Sequence, residues 1–140
     1  MANTAPRWLF WAGIIMLIWN LIGMAAFASQ WSMTQSDIAT LPQMQQDLWN
    51  NMPGWAWVAY AVAVLAGTLG AIGVIRRKWW ATIAFAFSLI GVAVQFSYPF
   101  FMTNAAEGGV AMMGLPIAIF IIAVIQWFLS RSWQAKGWLT

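Results

Sequence analysis

The stretch that decides the fold reads GWAWVAYAVAVLAGTLGAIGVI-RRK-WWATIAFAFSLIGVAVQFSYPFF and covers residues 54–101. Two long uncharged runs, residues 54–75 and 79–101, flank the basic triplet at 76–78. A helix rises about 1.5 Å per residue, so each run is long enough to cross a hydrocarbon core of roughly 30 Å. Because backbone polar groups in lipid must be paired within the segment, both runs are predicted to be transmembrane α-helices.

Two further apolar runs extend this pattern to four predicted spans, with the additional ones at about residues 8–28 and 110–129. The 140-residue chain is 63% hydrophobic and only 6% charged, whereas a soluble domain carries roughly 25% charged residues. We therefore predict one integral membrane domain over residues 1–140, an all-α four-helix transmembrane bundle. The triplet at residues 26–28 resembles a signal-peptide cleavage site, but the apolar run before it exceeds the roughly 7–15 residues typical of such peptides, so we expect a retained span.

The charged residues divide between the two ends of this predicted bundle. Basic residues precede span one, separate spans two and three, or follow span four, and acidic residues occupy the other two loops. The basic set is Arg7, Arg76, Arg77, Lys78, Arg131 and Lys136, and the acidic set is Asp37, Asp47 and Glu107. Short loops rich in Lys and Arg stay cytoplasmic, so we expect a bacterial inner-membrane protein with both termini in the cytoplasm. The basic residues are expected to contact anionic inner-leaflet lipids, and they form no stripe suited to nucleic acid.

The loop between spans one and two is long and contains an amphipathic pattern. Thr40 and Gln43 have the spacing of a capping box, and Pro42 suits a first helical turn, so a short helix is predicted to begin near residue 40. One face of that helix would be apolar, with Leu41, Met44, Leu48 and Met52. Such a helix is expected to lie on the outer membrane surface or to cap the bundle.

The residue types missing from the spans restrict the function. The predicted spans contain no Asp, Glu, Lys, Arg or His, and the chain has no cysteine or histidine. Ion-coupled carriers generally use intramembrane ionisable groups, and acid–base catalysis needs a titratable side chain. Thiolate and imidazole ligands for a metal are missing as well. We therefore expect neither an enzyme nor a metal or cofactor site.

Four polar side chains within the predicted spans are candidates for packing or binding: Asn20, Tyr60, Ser88 and Gln95, while Gln126 lies near the inner end of span four. Buried amides in hydrocarbon seek partners, and interhelical bonds of this kind average about 0.6 kcal/mol. In one interpretation, Asn20 bonds to Ser88 or to a backbone carbonyl and fixes the helix register. In the other, Asn20, Tyr60 and Gln95 line a small polar pocket.

Span two also carries a row of small residues, Ala59, Ala63 and Gly67, with Gly70 on an adjoining row. Small residues four positions apart let helix backbones approach closely in a membrane. This small-residue row predicts close packing, either within the bundle or against a partner protein or a second copy.

Several short motifs support a resemblance. They are Trp19-Asn20-x-x-Gly23, Pro53-Gly54-Trp55, Gly67-x-x-Gly70 and Arg77-Lys78-Trp79. With them the chain resembles, over nearly its whole length, a group of small four-span bacterial inner-membrane proteins, some of them loosely labelled sugar transporters. The resemblance implies the same membrane fold and transfers no catalytic or binding residue.

The first functional hypothesis from the sequence is a structural or accessory role, in which the protein packs against a larger membrane complex or itself. It depends on the small-residue row and on the lack of ionisable groups in the spans. Two alternatives stay open. One is a small-solute, sugar-like carrier or facilitator that uses Asn20 and Gln95, and the other is a protein that binds an apolar pigment, quinone or lipid among its tryptophans.

Overall fold

The chain folds into long helices that suit a membrane. A computed structural model describes residues 5–102 and 109–140, and within them it contains helices and no strand. The elements are α1 (Trp8–Trp31), α2 (Gln35–Ala39), α3 (Gln43–Asn50), α4 (Gly54–Ile75), α5 (Trp80–Phe101) and α6 (Val110–Ala135). Four of them, α1, α4, α5 and α6, are long and apolar enough to cross a membrane. The predicted all-α four-helix bundle of a multi-pass membrane protein is confirmed.

The helix bounds agree best with the sequence at the centre of the chain. α4 covers residues 54–75 as predicted, and α5 begins one residue later than predicted. α6 continues past residue 129 to Ala135, with Arg131 inside it. The guanidinium of Arg131 lies 5.4 Å from the ring centroid of Trp127, and this charge does not end the helix. Glu107, predicted to lie in a loop, is outside the described residues.

The loop after α1 differs from the prediction in its first half. The predicted helix start at Thr40 is wrong, because α3 begins at Gln43 after Pro42 and has no side-chain cap. The capping box lies earlier, at the unpredicted helix α2, where the Thr34 hydroxyl accepts from the Asp37 N–H and the Asp37 carboxylate accepts from the Thr34 N–H. Hydrogen bonds that Thr34 makes to the carboxylate, chiefly the one from its backbone N–H, lower the pKa of Asp37.

The long helices pack in the order α1, α4, α5, α6. α4 packs against α1 on one side and α5 on the other, and α5 packs against α6, but α1 and α6 do not pack together along their length. They meet at the end that carries the basic residues, hereafter the basic end. There the Trp8 ring lies 5.9 Å from that of Trp133 and 5.7 Å from that of Trp138, with Leu9 fully buried beside them. The seam between α1 and α6 is therefore closed at the basic end.

The small-residue row of α4 is buried within the bundle. Ala59, Ala63, Gly67 and Gly70 are all buried. A Cβ placed on Gly91 of α5 would lie 2.9 Å from both the Ala59 carbonyl oxygen and the Ala63 nitrogen. Such distances leave no space for even a methyl group, so the row holds α4 against its neighbours and presents no face to an outside partner.

We expect Gly91→Ala to destabilise the bundle, because the new methyl group would meet backbone atoms of α4, which cannot rotate away. Overpacking of this kind typically costs about 1–3 kcal/mol. Gly54→Ala is the matched control, since nothing lies within 4 Å of the added Cβ there. Thermal unfolding in detergent, followed by circular dichroism, measures both variants. Equal midpoints for the two would contradict the close contact between α4 and α5.

Candidate intramembrane binding site

A cavity of about 410 Å³ lies inside the bundle, in the half nearer to α3. Side chains from α1, α3, α4, α5 and α6 line it, and most of them are apolar or aromatic. Trp19 of α1, Tyr60 of α4, Phe96 of α5 and Trp49 of α3 supply the aromatic part of the wall. The Phe27 ring packs edge-on against the Tyr60 ring at 4.9 Å between centroids, behind the wall. The cavity is thus framed by several packed elements.

The cavity floor is a pair of buried amides. The Asn20 side-chain nitrogen donates to the Gln126 side-chain oxygen at 2.8 Å and to the Met16 carbonyl oxygen at 2.7 Å. Both amide side chains line the cavity. Gly67 makes room for the pair, since a Cβ at this position would overlap the Asn20 side-chain oxygen. The pair joins α1 to α6 near the middle of both helices.

The hydrogen bonds of Asn20 and Ser88 differ in part from the prediction. Asn20 does bond to a backbone carbonyl, but its interhelical partner is Gln126 and not Ser88. The Ser88 hydroxyl instead donates to the Ala63 carbonyl oxygen at 2.7 Å, which joins α5 to α4. Two separate hydrogen bonds therefore join α5 to α4 and α1 to α6.

Gln95 is a polar residue on the cavity wall whose side-chain amide is not paired within the described residues. Its side chain is 9% exposed, lines the cavity from α5, and makes no hydrogen bond with any residue that the structure describes. Gln30 of α1 also lines the cavity, and its side-chain oxygen is buried without a partner. A buried polar group without a partner costs about 1–3 kcal/mol. Two amides on the wall of one cavity therefore have unused hydrogen-bonding capacity.

Helix α3 forms the roof of the cavity. Leu48, Trp49 and Met52 line the cavity from above, and Gln45 contributes an amide. The Tyr98 hydroxyl donates to the Leu48 carbonyl oxygen at 2.7 Å and ties the roof to α5. The amphipathic segment thus lies on the end of the bundle, as one of its two predicted positions requires.

Among the residues that the structure describes, the exposed lining side chains place a mouth of the cavity at the seam between α1 and α6. Among the described lining residues, only Ile22 of α1 and Leu115 of α6 are exposed, at 59% and 66%. These two helices do not pack along their length, and the floor pair lies between the mouth and the basic end. Both side chains are apolar and lie within helices that suit a membrane span. The mouth therefore opens sideways, where lipid would surround the bundle.

The structure brings all four predicted polar residues to one cavity, since Asn20, Tyr60, Ser88 and Gln95 all line it. Sequence reasoning gave no role to Gln126 and did not single out Gln30. The available signal for Gln126 was chemical, since it is the lone amide in the apolar part of span four. A lone amide in hydrocarbon needs a partner, which makes a residue of this type a natural match for Asn20.

Comparisons with known proteins add no relative: the chain matches no family model, no curated protein and no solved structure at a significant level. The resemblance to small four-span bacterial inner-membrane proteins therefore stays a prediction.

We expect the floor pair to show energetic coupling. Asn20→Leu and Gln126→Leu should each destabilise the bundle by about 1–3 kcal/mol, because the first leaves the Gln126 oxygen without its donor and the second leaves Asn20 with only its bond to the Met16 carbonyl oxygen. The double variant should lose less than the sum, with a coupling of about 0.6 kcal/mol or more. Unfolding titrations in mixed micelles measure the cycle.

Asn20→Leu combined with Thr68→Val is the control cycle, since the Thr68 hydroxyl bonds to Val64 and Met24 and not to Asn20. That cycle should be additive. Additive losses for Asn20 and Gln126 as well would show that the two amides do not form the floor.

Proposed function

We propose that this protein binds a small uncharged molecule within the membrane, in the cavity below α3. The observation that carries the proposal is Gln95, a buried amide on the cavity wall without a hydrogen-bond partner. A ligand that pairs with this amide would gain a hydrogen bond of about 0.5–1.5 kcal/mol. The cavity volume of about 410 Å³ lies within the range of small-molecule sites, roughly 300–1,000 Å³.

The wall chemistry favours a neutral ligand. No ionisable acid or base of the Asp, Glu, Lys, Arg or His type is among the described lining residues, so a charged group would be buried without a counter-charge. Amides both donate and accept hydrogen bonds, and tyrosine hydroxyls do the same. An uncharged molecule with carbonyl or hydroxyl oxygens fits such a wall.

In the proposed orientation, the basic end faces the cytoplasm of a bacterial cell and the cavity lies in the outer half of the inner membrane. The charge partition supports this placement, because Lys and Arg concentrate in short cytoplasmic loops. Arg131 lies over Trp127 and Lys136 over Trp138, at 5.4 and 4.8 Å from the ring centroids. Indole and cation pairs of this kind suit the headgroup level, next to anionic inner-leaflet lipids.

The other hypotheses gain less from the geometry. A sugar-like carrier needs a path to the cytoplasm, and the Asn20–Gln126 pair and the cluster around Leu9 and Trp133 close the bundle at the basic end. The accessory role, proposed from the small-residue row, loses that support because the row is buried within the bundle. It stays a prediction, as does the absence of enzymatic activity.

We expect Gln95→Leu to weaken retention of the ligand. The protein is purified from its host membrane in mild detergent, and bound small molecules are extracted and identified by mass spectrometry. Loss of one buried hydrogen bond worth about 1.4 kcal/mol corresponds to a tenfold weaker affinity. We therefore expect at least about a tenfold lower recovery of one enriched neutral molecule from Gln95→Leu than from the wild type.

Thr82→Val is the matched control on the same helix, because its hydroxyl is also buried without a partner but does not line the cavity. This variant should retain the molecule at the wild-type level. Equal recovery from wild type and Gln95→Leu, or no enriched neutral molecule at all, would overturn the proposed function.

A further inference from the structure

We infer that the ligand is a neutral lipid-like amphiphile, whose oxygen-bearing head lies against Gln95 and whose hydrocarbon chain leaves the bundle between α1 and α6. This inference rests on the proposed function and adds the chemical class of the ligand and its route. The observation behind it is the sideways mouth of the cavity. This observation is independent of the unpaired amide of Gln95.

The mouth faces hydrocarbon. Ile22 and Leu115 are both lining residues and exposed residues, on two helices that leave a seam between them. Other exposed side chains on the same helices are also apolar, as Ile18 and Ile121 show. A chain of methylene groups that passes through this mouth would keep the surroundings that it has in the bilayer. A water-soluble ligand would instead have to cross the hydrocarbon layer to enter.

The other described sides of the cavity are covered. Toward the outer surface, α3 places Leu48 and Trp49 over the cavity, and the bond from the Tyr98 hydroxyl to the Leu48 carbonyl oxygen holds this helix down. Toward the basic end, the Asn20–Gln126 pair forms the floor. Within the described residues, the seam between α1 and α6 is thus the exposed edge of the cavity.

The available donors select the head group. Gln95 has its whole amide unused, and Gln126 accepts from Asn20 through its oxygen, so that its own NH₂ group makes no bond with the described residues. The Tyr60 hydroxyl is on the same wall and likewise forms no hydrogen bond there. These groups suit carbonyl and hydroxyl oxygens. No cation on the described wall would hold a phosphate, so we expect quinones or diacylglycerols to bind and anionic phospholipids to be rejected.

The absence of cysteine from the chain makes a direct test of the route simple. Ile22→Cys and Leu115→Cys are prepared separately and labelled with a bulky maleimide after purification in detergent. Ile18→Cys and Ile121→Cys are the controls, because both positions are exposed on the same two helices and neither lines the cavity. An unchanged thermal midpoint shows that a labelled protein keeps its fold.

Native mass spectrometry then measures binding of four probes at equal concentration: decylubiquinone, dioleoylglycerol, a phosphatidylglycerol and glucose. We expect one of the two neutral lipids to bind the unlabelled protein in preference to the phosphatidylglycerol and glucose, which identifies the source of the head group. A label at residue 22 or 115 should lower that binding at least fivefold, and a label at 18 or 121 should leave it unchanged.

Other outcomes distinguish failure of the amphiphile and its sideways route from failure of the proposed neutral-ligand function. Binding of a neutral lipid that is equal in all labelled forms, or binding of glucose alone, would overturn the amphiphile and its sideways route while leaving a neutral ligand in place. Preferential binding of the phosphatidylglycerol would overturn the neutral head group. If no probe binds and no neutral molecule is recovered from the purified protein, the proposed function fails as well.

Discussion

The hydrogen bond between Asn20 and Gln126 is the constraint on which the rest of this bundle depends. It joins the two long helices that do not pack along their length, near the middle of both. In a bilayer, close packing and polar bonds drive helix association. Lipid tails are as apolar as the helix surfaces, so no hydrophobic effect brings the helices together. Tryptophans close the seam between α1 and α6 at the basic end, and this pair closes it at mid-depth, so among the described residues the seam is open in the half near α3.

The close packing of α4 explains why such a seam exists. Its small residues let both α1 and α5 approach, and Gly67 leaves the space that the Asn20 side chain occupies. α6 packs against α5 and reaches α1 mainly through the amide pair and the aromatic contacts of Trp8. A bundle built around one narrow central helix thus forms tight contacts on one side and a cavity on the other. The unpaired amide of Gln95 lies on the wall of that cavity.

Much of this architecture was predictable because hydropathy and length determine membrane spans. The bounds of α4 agreed with the sequence, and the polar residues singled out within the spans all line the cavity. Helix α2 was missed, because its capping box, Thr34 to Asp37, lies in a segment too short for a clear periodic pattern. The longer reach of α6 was missed because a charge such as Arg131 ends an apolar run but not a helix.

The partner of Asn20 was also beyond sequence reasoning. Apolar spans carry little information on helix rotation or on which neighbours meet, since these follow from packing against other helices. Ser88 and Gln126 were both chemically suitable, and only the packing order distinguishes them: Ser88 bonds to α4, and Gln126 faces α1. The sideways mouth follows from the same packing order, so the sequence contained no direct sign of it.

A structure of the protein in nanodiscs of its native lipids, determined by electron cryomicroscopy with a rigid binding fragment, tests the central claim most directly. We expect an elongated non-protein density in the cavity, with one end within hydrogen-bond distance of the Gln95 amide and the other between Ile22 and Leu115. A seam closed by direct packing of α1 on α6, with the Gln95 amide bonded to the protein itself, would contradict the account.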